Sequence, residues 1–89
     1  MNKNGFEYIN VEDQISLSDM SLVSCLVALE FPVVTFDRDP KEYPKVRMIF
    51  RKTEKLEKTI NDFWNGSLRV EPKVYWNAIR EMKSRVKNY

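Results

Sequence analysis

Four side chains near the C-terminus could act together on an anion. At 100° per residue, Trp76, Arg80, Lys83 and Lys87 fall within a helical sector of about 60°, with Lys73 at its edge. Cations beside an aromatic plane are the parts that bind phosphate and stack a base or nucleotide ring. The competing expectation is structural: Trp76 extends the core, and the cations form a solvated rim whose stems cover it.

A second basic group, Arg47, Arg51, Lys52 and Lys55, follows the outward face of an expected strand into the start of a helix. Arg51-Lys52-Thr53 would set two cations beside the free N–H groups of that helix start, a geometry that suits phosphate. No glycine-rich loop brings the backbone close, and Glu54 and Glu57 already oppose the helix dipole. Ordinary capping is the competing account. Arg69, in the loop between the last two helices, is a further candidate for ligand contact. The ligand-binding candidates are therefore Arg47, Arg51, Lys52, Arg69, Trp76, Arg80 and Lys83.

Other chemistry is poorly supplied. The chain has no histidine, the side chain most used for proton transfer near neutral pH and the commonest metal ligand. Ser18-Asp19 has nothing to activate a hydroxyl and reads as a helix cap. Asp37-Arg38-Asp39 lacks the ligand count of a calcium loop and reads as a polar turn. Cys25 is a single cysteine in an apolar run, where burial makes a thiol inert. No enzyme, metal or cofactor is expected. One cysteine forms no disulfide within the chain, so a reduced, cytoplasmic setting is expected. Met1 to Gly5 lack the apolar core of a signal peptide. The longest uncharged run, Met20 to Leu29, is ten residues, about half of what spans a bilayer. No membrane partner is expected.

The formal charge of +2 hides an asymmetry. Residues 1–44 carry three cations against eight anions, net −5, and residues 45–89 carry twelve against five, net +7. Such a split hints at an anionic partner for the basic half. It fits equally well two halves facing each other, within one molecule or head to tail between two.

The elements that must position these residues follow from periodicity. Eighty-nine residues allow one domain with a small core. Residues 6–11 read as a short strand or docking arm, broken at Glu12-Asp13-Gln14. Residues 1–14 are accordingly read as an arm and 15–89 as the domain. A helix capped at Ser18-Asp19 runs to Phe31, stopped by Pro32 and apolar nearly all round. Burial on both sides in so small a domain makes this helix the expected interface of a homo-oligomer. Val33-Val34-Thr35-Phe36 and Val46 to Phe50 read as an antiparallel pair joined by a charged loop from Asp37 to Lys45.

Thr53 caps the next helix, with Leu56, Ile60, Phe63 and Trp64 on one face and Glu54 paired with Lys58. Asn65-Gly66 stops it, and Pro72 starts a last helix to about Val86, lined by Tyr75, Ala78, Ile79, Met82 and Val86. The order (β)-α-β-β-α-α is that of a small α+β domain, an antiparallel hairpin packed by helices.

With the helix opening at Ser18-Asp19 and Val46-x-Met48-x-Phe50 come Leu56, Ile60, Phe63-Trp64-Asn65-Gly66, Val70-Glu71-Pro72 and Ala78-Ile79-Arg80-x-Met82-Lys83-Ser84. This pattern resembles a family of short prokaryotic and phage proteins, a domain of unknown function. The resemblance covers roughly residues 15–86 and is most specific at the Trp-Asn-Gly and Val-Glu-Pro junction. It implies a phage or mobile-element origin, hence the host cytoplasm, and brings no catalytic residues. The function expected is a small non-enzymatic binding protein, counteracting a host defence or assisting replication, that takes a nucleotide-like ligand or nucleic acid through its basic half. The alternative is an interaction or inhibitor module that oligomerises through helix 20–31 and docks on a host or phage protein.

Overall fold

Alternation makes the strand β3 (Arg47–Arg51) the axis of a sheet. Met48 and Phe50 point to one face and are buried, with Val46 before them, while Arg47, Ile49 and Arg51 point to the other. The computed structural model describes residues 13–38, 40–42 and 45–88. In it β3 pairs antiparallel on one side with β2 (Val33–Asp37) and on the other with β1 (Gln14–Leu17), giving the order β1-β3-β2. The expected hairpin is thus two-thirds of a three-stranded sheet. The strand expected over residues 6–11 lies outside the described residues. The strand that opens the sheet, β1, alternates Ile15 and Leu17 against Gln14 and Ser16, too short a pattern to stand out beside Glu12-Asp13. A main-chain bond from Lys52 N to Asp13 O, 2.7 Å, extends its pairing by one step.

Three helices cover one face of the sheet: α1 (Met20–Ala28), α2 (Glu54–Trp64) and α3 (Pro72–Asn88). The core joins Leu22, Val23 and Leu26 of α1, Leu56 of α2 and Met82 of α3 to Phe36, Val46, Met48 and Phe50. The element order is β-α-β-β-α-α, an α+β domain. Leu26 is 0% exposed within the single chain, and Leu22 and Val23 are equally enclosed. α1 therefore finds its burial against its own sheet and α3, and the apolar face expected to need a second subunit is already covered.

α1 also ends earlier than expected. Its stop is not Pro32 but a Schellman turn, in which Glu30 N bonds Val27 O at 2.9 Å and Phe31 N bonds Leu26 O at 3.0 Å. Glu30 occupies the left-handed position, φ 71°, that usually belongs to glycine, so no sequence signal marks the turn. Phe31 is thereby folded back onto the core rather than continuing the helix. At the other end Asp19 caps α1: its carboxylate accepts from Ser21 N, Leu22 N and the Ser21 hydroxyl at 2.9, 3.2 and 2.6 Å.

Two expectations follow. Glu30→Gly relieves a strained backbone and should raise stability by about 0.5–1 kcal/mol. Gly66→Ala places a Cβ at φ +76° with nothing within 4 Å, so it should cost roughly 1–2 kcal/mol from backbone conformation alone. Urea denaturation of both variants checks the opposite signs. The hydrogen bonds to Asp19, that from the Ser21 hydroxyl foremost, hold its pKa below the ordinary 3.8. A lowered folded-state pKa contributes stability in full above that ordinary value and loses it as pH falls through the depressed one. Asp19→Ala should therefore cost about 1 kcal/mol at pH 7. The gap between variant and parent should close as the pH is taken below 3.8. An undiminished gap there would show the cap to be independent of charge.

Candidate anion-binding surfaces

The direction of α3 is set by the turn before it. α2 is capped by Thr53, whose hydroxyl accepts from Leu56 N at 3.0 Å, and buries Leu56 with Ile60 and Phe63 packed alongside. Lys58 pairs with Asp62 at 3.1 Å, one turn after it, rather than with Glu54, one turn before it, as expected. Trp64 was expected to complete the core stripe but is 62% exposed, its ring meeting Phe63 edge-on at 4.9 Å. Eight residues on from Leu56 it has rotated about 80° round the helix, onto the flank rather than the buried face.

The helix then stops at a second Schellman turn, with Gly66 N to Phe63 O at 3.1 Å and Ser67 N to Asp62 O at 2.9 Å. Arg69, exposed, folds over its own loop: one guanidinium nitrogen donates to Gly66 O and Leu68 O, both at 3.1 Å, so its first role is to brace the loop. Glu71 caps α3 by accepting from Val74 N at 2.8 Å, and Pro72 takes the first helical position.

α3 is fixed along its length. The Tyr75 hydroxyl donates to Ser21 O at 3.4 Å near the start of α1, and Ala78 and Met82 are buried. Near the other end Arg38 donates to Val86 O at 3.1 Å, and the Arg85 guanidinium lies 4.9 Å from the centre of the Phe36 ring. With the core stripe so placed, Trp76 stands on the flank, 58% exposed, and has no ring or cation contact among the described residues. The expectation that Trp76 extends the core is thus overturned. Lys73, Arg80, Lys83 and Lys87 are exposed beside it. Along the axis Arg80 lies about 6 Å and Lys83 about 10 Å beyond Trp76.

The remaining candidates sit elsewhere. Arg47 and Arg51 share the outward face of β3, about 13 Å apart on either side of Ile49. Arg47 is in register with Asp37, and Arg51 with Gln14. Arg51 also borders an open cavity of about 150 Å3, lined with Phe31, Pro32, Val34, Phe50 and Thr53. Lys52 follows it, exposed, and the Lys55 ammonium lies 5.9 Å from the centre of the Phe31 ring. Sequence reasoning placed the cations of this site and missed its apolar floor. Phe31 had been read as helix, and Val34 is carried there by a bulge in β2 between Val33 and Thr35. A larger groove of about 260 Å3 lies between β1 and α2, lined by Ile15, Leu17, Glu57, Ile60 and Asn61. It has one carboxylate and no cation, which unsuits it for an anion.

The side chains with shifted proton affinity, Asp19, Cys25 and Tyr75, gather where α1 meets the start of α3. Burial, then the negative charge of Asp19, pushes the Cys25 thiol up, which removes the thiolate needed for nucleophilic work. Burial foremost also raises the Tyr75 phenol. The Asp19 carboxylate is spent on capping. Among the described residues no three His, Cys, Asp or Glu gather as metal ligands, and no helix is long and apolar enough to cross a membrane.

Iodide quenching of fluorescence separates the two exposed indoles. Trp64→Phe leaves Trp76 among cations and should show a higher ratio of iodide to acrylamide quenching than Trp76→Phe does, with the excess lost as salt is raised. Equal ratios would mean that the cations of α3 do not act at the ring.

No curated protein and no solved structure matches the chain. A family model does match, that of a domain of unknown function (DUF5659), over residues 12–88. These residues take in all three strands, all three helices and the junction at Gly66, so the chain belongs to that family.

Proposed function

We propose that the protein is a non-enzymatic binding module for single-stranded nucleic acid, held by the exposed flank of α3. The observation that carries this reading is the exposure of Trp76 beside Lys73, Arg80, Lys83 and Lys87. An indole left in water next to cations loses burial energy that a stacked base restores. The flank is open and runs along a helix axis, so it suits a strand, whose bases and phosphates repeat, better than an enclosed mononucleotide. Arg47, Arg51 and Lys52 lie on and just after β3 and do not belong to this flank. With the phage or mobile-element origin that the sequence resemblance implies, such binding would serve replication or blunt a nucleic-acid-based host defence. The alternative of an interaction module working through α1 lacks a comparable observation, because that helix is consumed by the core.

Fluorescence anisotropy with a labelled oligothymidine tests the reading. Affinity should fall steeply with salt, with each phosphate contact contributing about −0.7 to the logarithmic slope. Trp76→Ala should weaken binding by 1–3 kcal/mol, roughly five- to 150-fold, with little change in slope. Arg80→Gln and Lys83→Gln should each lower the slope by about 0.7. Absent or salt-insensitive binding would remove nucleic acid as the ligand. A thermal shift with a mononucleotide and none with the strand would move the proposal to a nucleotide-like signal.

A further inference from the structure

The cavity where the turn after α1 meets the start of α2 is built differently from the flank of α3. It is concave, and its lining is carbon-rich: Phe31 and Pro32 from the turn, Val34 from the bulge, Phe50 beneath. Its rim is cationic. Arg51 lines it directly, and Lys55 stands over the Phe31 ring. The nearest acidic residues along the chain, Glu30 and Glu54, are exposed and do not line it. At about 150 Å3 it matches an apolar cavity that holds one benzene ring, and it is too small for a dinucleotide.

We infer that this cavity is a second binding site, separate from Trp76, for a small molecule made of one aromatic ring bearing a phosphate or carboxylate. The ring would lie on Phe31, Pro32 and Val34, and the anionic group would sit between Arg51 and Lys55 at the rim. Two features of the fold create the site. The left-handed Glu30 turns Phe31 back to form the floor, and the bulge supplies Val34, 41% exposed, where regular alternation would not. No residue that lines this cavity lies on α3, so a ligand can be lost from one site and kept at the other.

Phenyl phosphate is the probe, followed by amide chemical shifts of the whole chain in solution. The expected result is saturable shifts at Phe31, Val34, Arg51 and Thr53, with a Kd on the order of 1 mM for so small a ligand. Phenol, the ring without the charge, and inorganic phosphate, the charge without the ring, should each bind at least about fivefold more weakly. Lys55→Gln, at an exposed position, should weaken phenyl phosphate roughly three- to tenfold with an unchanged melting temperature. Trp76→Ala should leave that affinity intact while lowering affinity for oligothymidine. Shifts that fail to saturate, that centre on Trp76, or that phenol reproduces at equal affinity would each overturn the site.

Discussion

β2 has to present Val33 and Phe36 to the same core although a strand sends residues three apart to opposite faces. One extra residue resolves the conflict. Val33 pairs with Phe50 and Thr35 with Ile49, so Val34 is left over as a bulge and the alternation shifts by one. Phe36 then lies opposite Met48, inside, and Asp37 opposite Arg47, outside. Much of the structure leans on this adjustment. Phe36 closes the core at one end of the sheet and receives the Arg85 guanidinium on its ring, which helps anchor α3. At the other end the displaced Val34 borders the cavity beside Arg51.

α3 shows how such anchoring decides what a surface can do. Its contacts run from Tyr75, on the start of α1, to Val86, held by Arg38. Between them the small side chains Ala78 and Ser24 are both buried, which lets the two helices come close. Ser24 Oγ has no hydrogen-bond partner among the described residues, so that position is occupied for its size at some cost in unsatisfied polarity. A helix pinned this way cannot roll to hide Trp76. Its exposure is a consequence of where the buried stripe lies.

Long periodic segments were legible in the sequence, and single-residue backbone decisions were not. The stripe Leu56, Ile60, Phe63, the glycine stop at Gly66 and the proline start at Pro72 each carry a residue type that only one local structure favours. The end of α1 carries no such mark, because glutamate does the work of glycine at position 30. β1 shows one alternating pair, Ile15 and Leu17, which a four-residue strand cannot improve upon. Trp64 was misplaced because a position at the edge of a helical sector is buried or bare according to what lies opposite, which is tertiary information. The candidate sites divide likewise. Charge and periodicity pointed to the cations, but the hydrogen bonds of Arg69 to its own loop set it apart from Trp76, and the cavity floor depended on a bulge and a turn that leave no pattern.

The charge asymmetry of the chain takes on a physical meaning once the helices are placed. Glu81 pairs with Arg85 at 3.6 Å and Asp62 with Lys58 at 3.1 Å, exposed pairs that contribute little. Arg80 and Lys83 have no ion pair among the described residues, and no carboxylate falls in the sector they share with Trp76. Their neighbours along the helix are like charges: Lys83 follows Arg80 by three residues, and Lys87 follows Lys83 by four. Such pairs destabilise a helix by about 0.2–0.5 kcal/mol each. Their Cβ atoms stand about 5–6 Å apart, within the Debye length of about 8 Å at physiological salt, so screening leaves part of the repulsion. The flank of α3 therefore holds electrostatic energy that an anion lowers on arrival. A row of phosphates spaced along the helix axis would relieve more of it than a single charge could.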